Sequence, residues 1–157
     1  MKAGDIVFFR NKGLIPWLIR KVSGGYYNHV AIALSENLLL EAEYNSNTCI
    51  RNISFYHAKG SEIKTIPMNI TNEQLEMIYK ITDEYYSTKF YDMKLICKMF
   101  LKYVFAIPFT VNTQEKVVCS ELVAMVLLDA KITDDFQIIN FSPQELYDWL
   151  VLKNGKA

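Results

Sequence analysis

The sequence predicts an α+β fold, with strands in the first half of the chain and helices in the second. The first half contains short runs of β-branched and aromatic residues bounded by turn residues, which is typical of strands. These runs lie at residues 6–9, 29–34, 38–44, 49–55 and 62–68. The second half instead repeats apolar residues at helical spacing. We therefore expect an antiparallel sheet packed against helices, in a single domain spanning residues 1–157.

The predicted helices have recognisable ends. A serine or threonine N-cap followed three residues later by Glu or Gln forms a capping box, and this pattern occurs at Thr71 and at Ser142. A helix is predicted at 14–22 because a proline lies near its start and two glycines follow its end. Further helices are predicted at 92–105 and from Cys119 onward.

Two of the predicted strands form a hairpin. Residues 29–34 and 38–44 are joined by the polar turn Ser35-Glu36-Asn37, and consecutive strands joined by a short turn pair antiparallel. Successive side chains of a strand point to opposite faces of the sheet. Glu41 and Glu43 therefore share one face of the returning strand, and alternation alone does not separate them.

The charge balance excludes one large class of partner. Seventeen basic and seventeen acidic residues cancel, and the sequence contains neither a basic tail nor a Lys/Arg run. Nucleic acid is therefore not an expected partner, because phosphate binding needs concentrated positive charge. The sequence also lacks a Gly-rich loop of the dinucleotide or Walker type, so we expect no cofactor. A chain of this length can bury a sizeable core and needs no metal to fold.

The apolar segments do not predict a membrane span. The longest, residues 95–111, is interrupted by Lys98 and Lys102, whereas a span needs about 20 consecutive apolar residues. The apolar run 103–109 leaves peripheral contact with a membrane open. The start of the chain lacks the apolar core and cleavage site of a signal peptide, and three cysteines do not make a disulfide framework. These features predict a cytoplasmic location.

Cys119 is the cysteine best placed for chemistry. It follows the strand-like Val117-Val118 and opens a predicted helix. A thiol there lies at the positive end of the helix macrodipole, which favours the thiolate, and free backbone N–H groups can hold an oxyanion. A buried cysteine that merely opens a core helix is the alternative interpretation. Cys97 lies among apolar residues of a predicted helix, and Cys49 has no evident partner.

A nucleophilic thiol needs a base, and the chain offers only His29 and His57. His29 opens an apolar strand after a Gly-Gly turn, from which its ring can reach across a cleft. His57 lies beside Ala58-Lys59-Gly60, which is typical of an exposed loop, so we rank it lower. A carboxylate should hold the imidazole in the right tautomer. Glu41 and Glu43 are both candidates, and a solvated strand residue is the ordinary alternative for each.

The ordered set of segments resembles a known family. Residues 4–9 (GDIVFF), 28–32 (NHVAI), 40–42 (LEA) and 118–123 (VCSELV) are similar, in order and spacing, to the YiiX-like branch of the NlpC-type papain-like proteins. That branch is circularly permuted, so its histidine strand and acidic residue precede its cysteine helix. The resemblance extends over residues 4–146, nearly the whole chain.

The resemblance implies a permuted papain-like fold and a cysteine hydrolase, with Cys119 as nucleophile and His29 as base. It assigns Glu41, within the Leu-Glu-Ala motif, as the acid that orients the histidine. It also implies that Tyr91 helps to bind the oxyanion. The expected reaction is cleavage of an amide or ester through a thioester. The substrates considered are a peptide, a peptidoglycan stem peptide, an isopeptide or a lipid ester.

Two other functions stay open. A lipid-directed acyltransferase or lipase on the same scaffold would use residues 103–109 to dock a membrane or an acyl chain, and exposure of those side chains would favour it. A non-catalytic interaction module that keeps the fold is the second. Inertness of Cys119 toward a mild alkylating reagent would favour the interaction module.

Overall fold

The computed structural model describes residues 1–42, 48–85, 90–91, 116–117 and 119–155. These residues form a five-stranded sheet in which all neighbouring strands are antiparallel. The strands are β1 (Ile6–Arg10), β2 (His29–Ala33), β3 (Leu38–Ala42), β4 (Thr48–Asn52) and β5 (Glu62–Ile66). They lie in the order β4-β3-β2-β1-β5 and, together with the helices, confirm the predicted α+β class.

Helices follow the sheet in the second half of the chain and also occupy two of its connections. The described helices are α1 (Leu14–Ser23), α2 (Ser54–Ala58), α3 (Asn72–Tyr85), α4 (Cys119–Asp129) and α5 (Pro143–Asn154), with a 3₁₀ turn at Phe136–Asn140. A separate parallel pair consists of β6 (Phe90–Tyr91) and β7 (Lys116–Val117). The helix predicted at 92–105 lies outside the described residues. Within the described ranges, no helix is long and apolar enough to cross a membrane.

The predicted helix ends are present. The hydroxyl of Ser142 accepts a hydrogen bond from the N–H of Glu145 at 3.3 Å, and the carboxylate of Glu145 accepts one from the N–H of Ser142 at 2.7 Å. Thr71 and Gln74 make the same reciprocal pair, so both predicted capping boxes are confirmed. α1 ends at Gly24, whose φ of 65° is left-handed and costs glycine no steric penalty.

One segment departs from the prediction. The sequence predicts strand-like structure as far as residue 55 and an exposed loop around His57, whereas Ser54–Ala58 is a short helix. This helix stacks the ring of Tyr56 on that of Phe9, with ring centroids 4.0 Å apart. Burial of this large aromatic ring outweighs the local β propensity. His57 is exposed, as predicted.

Both faces of the sheet are covered. On one face, α4, α5 and the 3₁₀ turn pack on alternating apolar residues of β1, β2 and β3. The other face carries a smaller buried set, made of Val7, Phe9, Ala31, Ala33 and Leu39 and closed by Tyr56 of α2. α4 packs directly on β2 and β3, mainly through residues such as Leu122 and Val126 that are fully buried. Apolar packing therefore fixes the helix that begins at Cys119.

The turn before β2 is held by α5. The side-chain oxygen of Gln144 accepts hydrogen bonds from the N–H groups of Tyr26 and Tyr27, at 2.8 and 3.2 Å. A Cβ atom at Gly25 would lie 2.5 Å from the Cβ of Gln144, so only glycine permits this approach. His29 begins β2 just after this turn, and its position is therefore tied to the start of α5.

We expect Leu122→Ala to lower the free energy of unfolding by about 2–5 kcal/mol, because it leaves a cavity beneath the helix that begins at Cys119. Leu152→Ala is the matched control: Leu152 is 65% exposed, so its loss should change stability by about 0.5 kcal/mol or less. Denaturant unfolding of both variants measures the difference. Similar losses in the two variants would contradict the packing described for α4.

Candidate functional site

His29 is the first residue of β2 and lies opposite Phe9 of β1. Its side chain is 8% exposed, and its ring lies beside two aromatic rings, with centroid distances of 5.5 Å to Phe9 and 5.8 Å to Tyr56. The strand fixes the backbone, and the two rings restrict the side chain. The imidazole is therefore held in one orientation before any polar partner acts on it.

Glu41 supplies the polar partner from the neighbouring strand. Its side chain is fully buried, and its Oε2 lies 3.0 Å from Nε2 of His29. The antiparallel pairing of β2 and β3 places the two residues diagonally on one face, within reach of long side chains. Glu43, the alternative left open by alternation, lies outside the described residues.

Three further side chains surround the Glu41 carboxylate. Arg51 donates through Nε to Oε1, and the hydroxyl of Tyr56 donates to Oε2. The Cys49 sulfur lies 3.9 Å from Oε1 and 3.8 Å from Nη2 of Arg51. The sequence alone indicates no partner for Cys49 and does not single out Arg51 or Tyr56. The alternation of side chains along β4 is the feature that indicates these partners. Cys49 and Arg51 lie two residues apart, and so on one face of the sheet, and they pair with Glu41 and Leu39 of β3.

The buried charges of this cluster stabilise one another. Burial of the His29 ring by itself lowers its pKa, but hydrogen bonding and charge from Cys119, and then from Glu41, outweigh burial and raise the pKa to about 10. Burial of Glu41 raises its pKa, but His29, Tyr56 and Arg51 together hold the pKa below its usual value. Both His29 and Glu41 are therefore charged at neutral pH.

Cys119 approaches the histidine from the helical side of the sheet. It is the first residue of α4 and is 5% exposed, and hydrogen bonding and charge at its side chain raise the pKa of His29. Because Nε2 of the ring faces Glu41, Nδ1 is the nitrogen left for the thiol. The backbone N–H groups of the first turn of α4 have no acceptor within the helix and can donate hydrogen bonds to a negatively charged oxygen.

The other predicted residues fall at different places. The backbone of Tyr91, in β6, pairs with that of Val117 in β7, two residues before Cys119. Its side-chain contacts, like Cys97 and the apolar run 103–109, lie outside what the structure describes. His57, ranked below His29, lies in α2 and is exposed. The described residues thus place Glu41 against His29, and the raised pKa of His29 reflects an interaction with Cys119.

Stability should fall as the pH rises through the range in which His29 loses its proton. A group whose pKa is raised by folding stabilises fully below its unfolded pKa, 6.5 for this histidine, and that contribution is lost by the folded pKa of about 10. Glu41, whose pKa is lowered from 4.5, contributes above that pH and loses its contribution as the pH falls. We expect the free energy of unfolding to drop more steeply between pH 6.5 and 10 in the parent than in a His29→Gln variant. Denaturant titrations across this range measure both slopes, and equal slopes would contradict a charged His29.

Comparison with known proteins gives the fold. No protein-family model and no curated protein matches the chain. Among solved structures, the crystal structure of YiiX from Escherichia coli O157:H7, described as a metalloprotein, matches with a TM-score of 0.61 at 15% identity. The match covers 92% of this chain and 86% of YiiX. The chain therefore has a YiiX-like α+β fold.

Proposed function

We propose that the protein is a cysteine-dependent hydrolase that cleaves an amide or ester bond, with Cys119 as nucleophile, His29 as general acid and base, and Glu41 as the orienting residue. The observation that carries this proposal is the buried pair of His29 and Glu41, joined at 3.0 Å, together with the buried Cys119 side chain that interacts with the same imidazole and raises its pKa. A thiol, an imidazole and a carboxylate in this order form the usual arrangement for nucleophilic catalysis. A purely structural cluster would not need a thiol next to the free ring nitrogen.

In the proposed mechanism the resting pair is a Cys119 thiolate beside a protonated His29. In this form the proton stays on the ring at neutral pH, because the Glu41 carboxylate is bonded to the other ring nitrogen and the charge of Cys119 acts in the same direction on the pKa of His29. The thiolate attacks the substrate carbonyl, and the imidazolium then gives its proton to the leaving amine or alcohol. The neutral ring next takes a proton from water, whose oxygen attacks the thioester and releases the acid and the thiolate.

The oxyanion that forms at each attack needs donors already in place. We assign this role to the backbone N–H of Cys119 at the start of α4, where intrahelical partners are missing. Tyr91 is proposed as a second donor. Its place in β6, paired with Val117 two residues before the nucleophile, supports that proposal at the level of the backbone.

Glu41 has a positioning role in this mechanism. It is hydrogen-bonded to Nε2 of His29, which directs Nδ1 toward the thiol. Arg51 and Tyr56 donate to the same carboxylate and fix its plane. Arg51 also lowers the proton affinity of Glu41, so the shared proton stays on the histidine and the carboxylate remains an anion.

The substrate is proposed by class only. A peptide, a peptidoglycan-like peptide, or a lipid ester or amide each presents the carbonyl that this mechanism requires.

A metal centre is the second function to be weighed, since YiiX is described as a metalloprotein. The donor atoms around Glu41 do not fit a cation. Its oxygens are occupied by His29, Tyr56 and Arg51, and the Arg51 guanidinium would repel a metal ion there. In the part of the chain that the structure describes, no group of three or more His, Cys, Asp or Glu is arranged to hold a metal. The proposed mechanism uses no metal.

Cys119 should be the fastest cysteine to react with iodoacetamide at pH 6, because the thiolate is the reactive form and a protonated His29 stabilises it. Mass spectrometry of labelled peptides measures the rate at each of the three cysteines. His29→Ala should slow labelling of Cys119 by about ten-fold or more at this pH, since the cation is gone. Cys49 serves as the internal control, because it is partly exposed and lies beside a cation.

The outcome separates the hydrolase from a non-catalytic module. If the His29→Ala variant labels at Cys119 as fast as the parent, His29 is not the partner of the thiol. If Cys119 of the parent is inert, an interaction module is the better interpretation of the fold.

Loss of the groups around His29 should lower catalysis in a graded way. With p-nitrophenyl esters as probe substrates, we expect Cys119→Ala to abolish turnover and Glu41→Gln to lower kcat about 10²-fold or more. Tyr56→Phe removes one of the hydrogen bonds to Glu41 and should lower kcat about ten-fold. Tyr79→Phe is the matched control, because it deletes a hydroxyl bonded to the Leu34 carbonyl, away from the site.

Two substitutions of Arg51 distinguish a role in positioning Glu41 from a purely structural role. Arg51→Lys should retain more activity than Arg51→Met, because lysine keeps the charge beside Glu41. The pH profile of kcat/KM should shift in Arg51→Met, where a merely structural role would leave it in place. Turnover of Tyr56→Phe or Arg51→Met at the level of the parent would contradict the positioning role of the cluster.

A further inference from the structure

α1 is an apolar helix that the core does not bury. Its sequence, LIPWLIRKVS, is mostly apolar, yet none of its residues is buried. Among the residues that the structure describes, neither of the two core clusters includes a residue of α1, and Ile15, Leu18 and Ile19 are half-buried. Apolar helices of globular proteins normally lay such residues against a core, so this helix needs another explanation.

The exposed side of α1 carries two large apolar residues. Leu14 is 78% exposed and Trp17 is 49% exposed, and Lys21 is exposed as well. Spacings of three and four residues place these side chains on one stripe of the helix. Solvent-facing apolar patches of this kind mark interaction sites in soluble proteins. We call this stripe, Leu14, Trp17 and Lys21, the α1 stripe.

The chain segment that contains α1 is basic. Between Asp5 and Glu36 the chain holds only basic charges, at Arg10, Lys12, Arg20 and Lys21, although the whole chain has no net charge. Arg10 is balanced by Glu62, at 3.8 Å. Arg20 is engaged internally, donating to the carbonyl of Asn11 at 2.7 Å and to Asn28 at 3.0 Å. Lys12 and Lys21 are exposed at the two ends of the helix and are the charges of this segment that remain available to a partner.

We propose that α1 is a docking surface for a lipid bilayer that contains anionic lipids. Leu14 and Trp17 would enter the headgroup boundary, and Lys12 and Lys21 would contact the lipid phosphates and carboxylates. An interfacial helix has this composition, with Trp and Leu flanked by basic residues. Leu14 and Trp17 supply apolar area and Lys12 and Lys21 supply positive charge, which are the two features that an anionic lipid surface requires.

Docking at α1 would also orient the candidate site. The helix is joined to β2 by the short turn that Gln144 fixes, so His29 lies a few residues beyond the docked helix. A bilayer bound at α1 would therefore lie near the entrance of β2. The binding itself does not depend on the hydrolase proposal and is tested without a substrate.

The test is cosedimentation with vesicles of phosphatidylcholine alone and of phosphatidylcholine mixed with phosphatidylserine. We expect the parent to bind the mixed vesicles, to bind the neutral ones at least about five-fold more weakly, and to be released as salt is raised. In a Trp149→Phe background, the fluorescence of Trp17 should shift to the blue when the mixed vesicles are added.

Three variants test whether vesicle binding occurs through α1. Leu14→Ser combined with Trp17→Ser should weaken binding at least about ten-fold, because the apolar area is lost. Lys21→Glu should weaken it without touching apolar packing. Phe136→Ser is the matched control, since Phe136 is 73% exposed on the 3₁₀ turn, outside α1, and it should bind as the parent does. Circular dichroism checks that each variant is folded.

Failure of the parent to bind mixed vesicles would overturn the proposal. So would unchanged binding by both the double serine variant and Lys21→Glu. If the parent instead self-associates, and only the double serine variant is monomeric, the α1 stripe covers a second copy of the chain and the lipid assignment is wrong.

Discussion

A fully buried carboxylate is the constraint on which the rest of this site depends. An ionised Glu41 without partners would cost several kcal/mol, because its water shell is lost on folding. The structure compensates it with Arg51 on one oxygen and with His29 and Tyr56 on the other. These partners come from β4, β2 and α2, so the carboxylate is satisfied only when three elements have assembled around β3. The strand order β4-β3-β2 is therefore a requirement of the site as well as a property of the sheet.

The two faces of the sheet contribute different parts of the candidate site. The face covered by α2 holds the acid and the aromatic rings that restrict His29. The opposite face binds α4 through a larger apolar cluster, and α4 brings the thiol of Cys119 to the histidine. His29 can contact both because it lies at the very start of β2. Burial of β2 on both faces removes water from the series, which strengthens each electrostatic contact within it.

The parts of this arrangement that local chemistry determines were predictable from the sequence. The capping boxes at Thr71 and Ser142 and the β2–β3 hairpin follow from signals a few residues long, and the structure confirms them. The alternation of side chains placed Glu41 and Glu43 on the same face of the strand and could not separate them. Only the resemblance to a family selected Glu41. Arg51 and Tyr56 were not foreseeable, since their contacts depend on the β3–β4 register and on where α2 lies. The prediction of strand structure as far as residue 55 was wrong for the same reason, because the burial of Tyr56 against Phe9 is a tertiary contact.

The order of charges explains why an arginine belongs beside the acid. In the proposed resting state the charges alternate along the series, with Arg51 positive, Glu41 negative, His29 positive and the Cys119 thiolate negative. A carboxylate that served only the histidine would compete for its proton in a buried setting, where neutral pairs are favoured over ions. His29, Tyr56 and Arg51 together hold Glu41 as an anion, and Arg51 is the permanently charged member of that set. The imidazole can then keep its proton for the thiolate, and the buried series carries no net charge. An ion pair at the nucleophile is thus tolerable inside the fold because a second ion pair, Glu41 with Arg51, balances it from the other end.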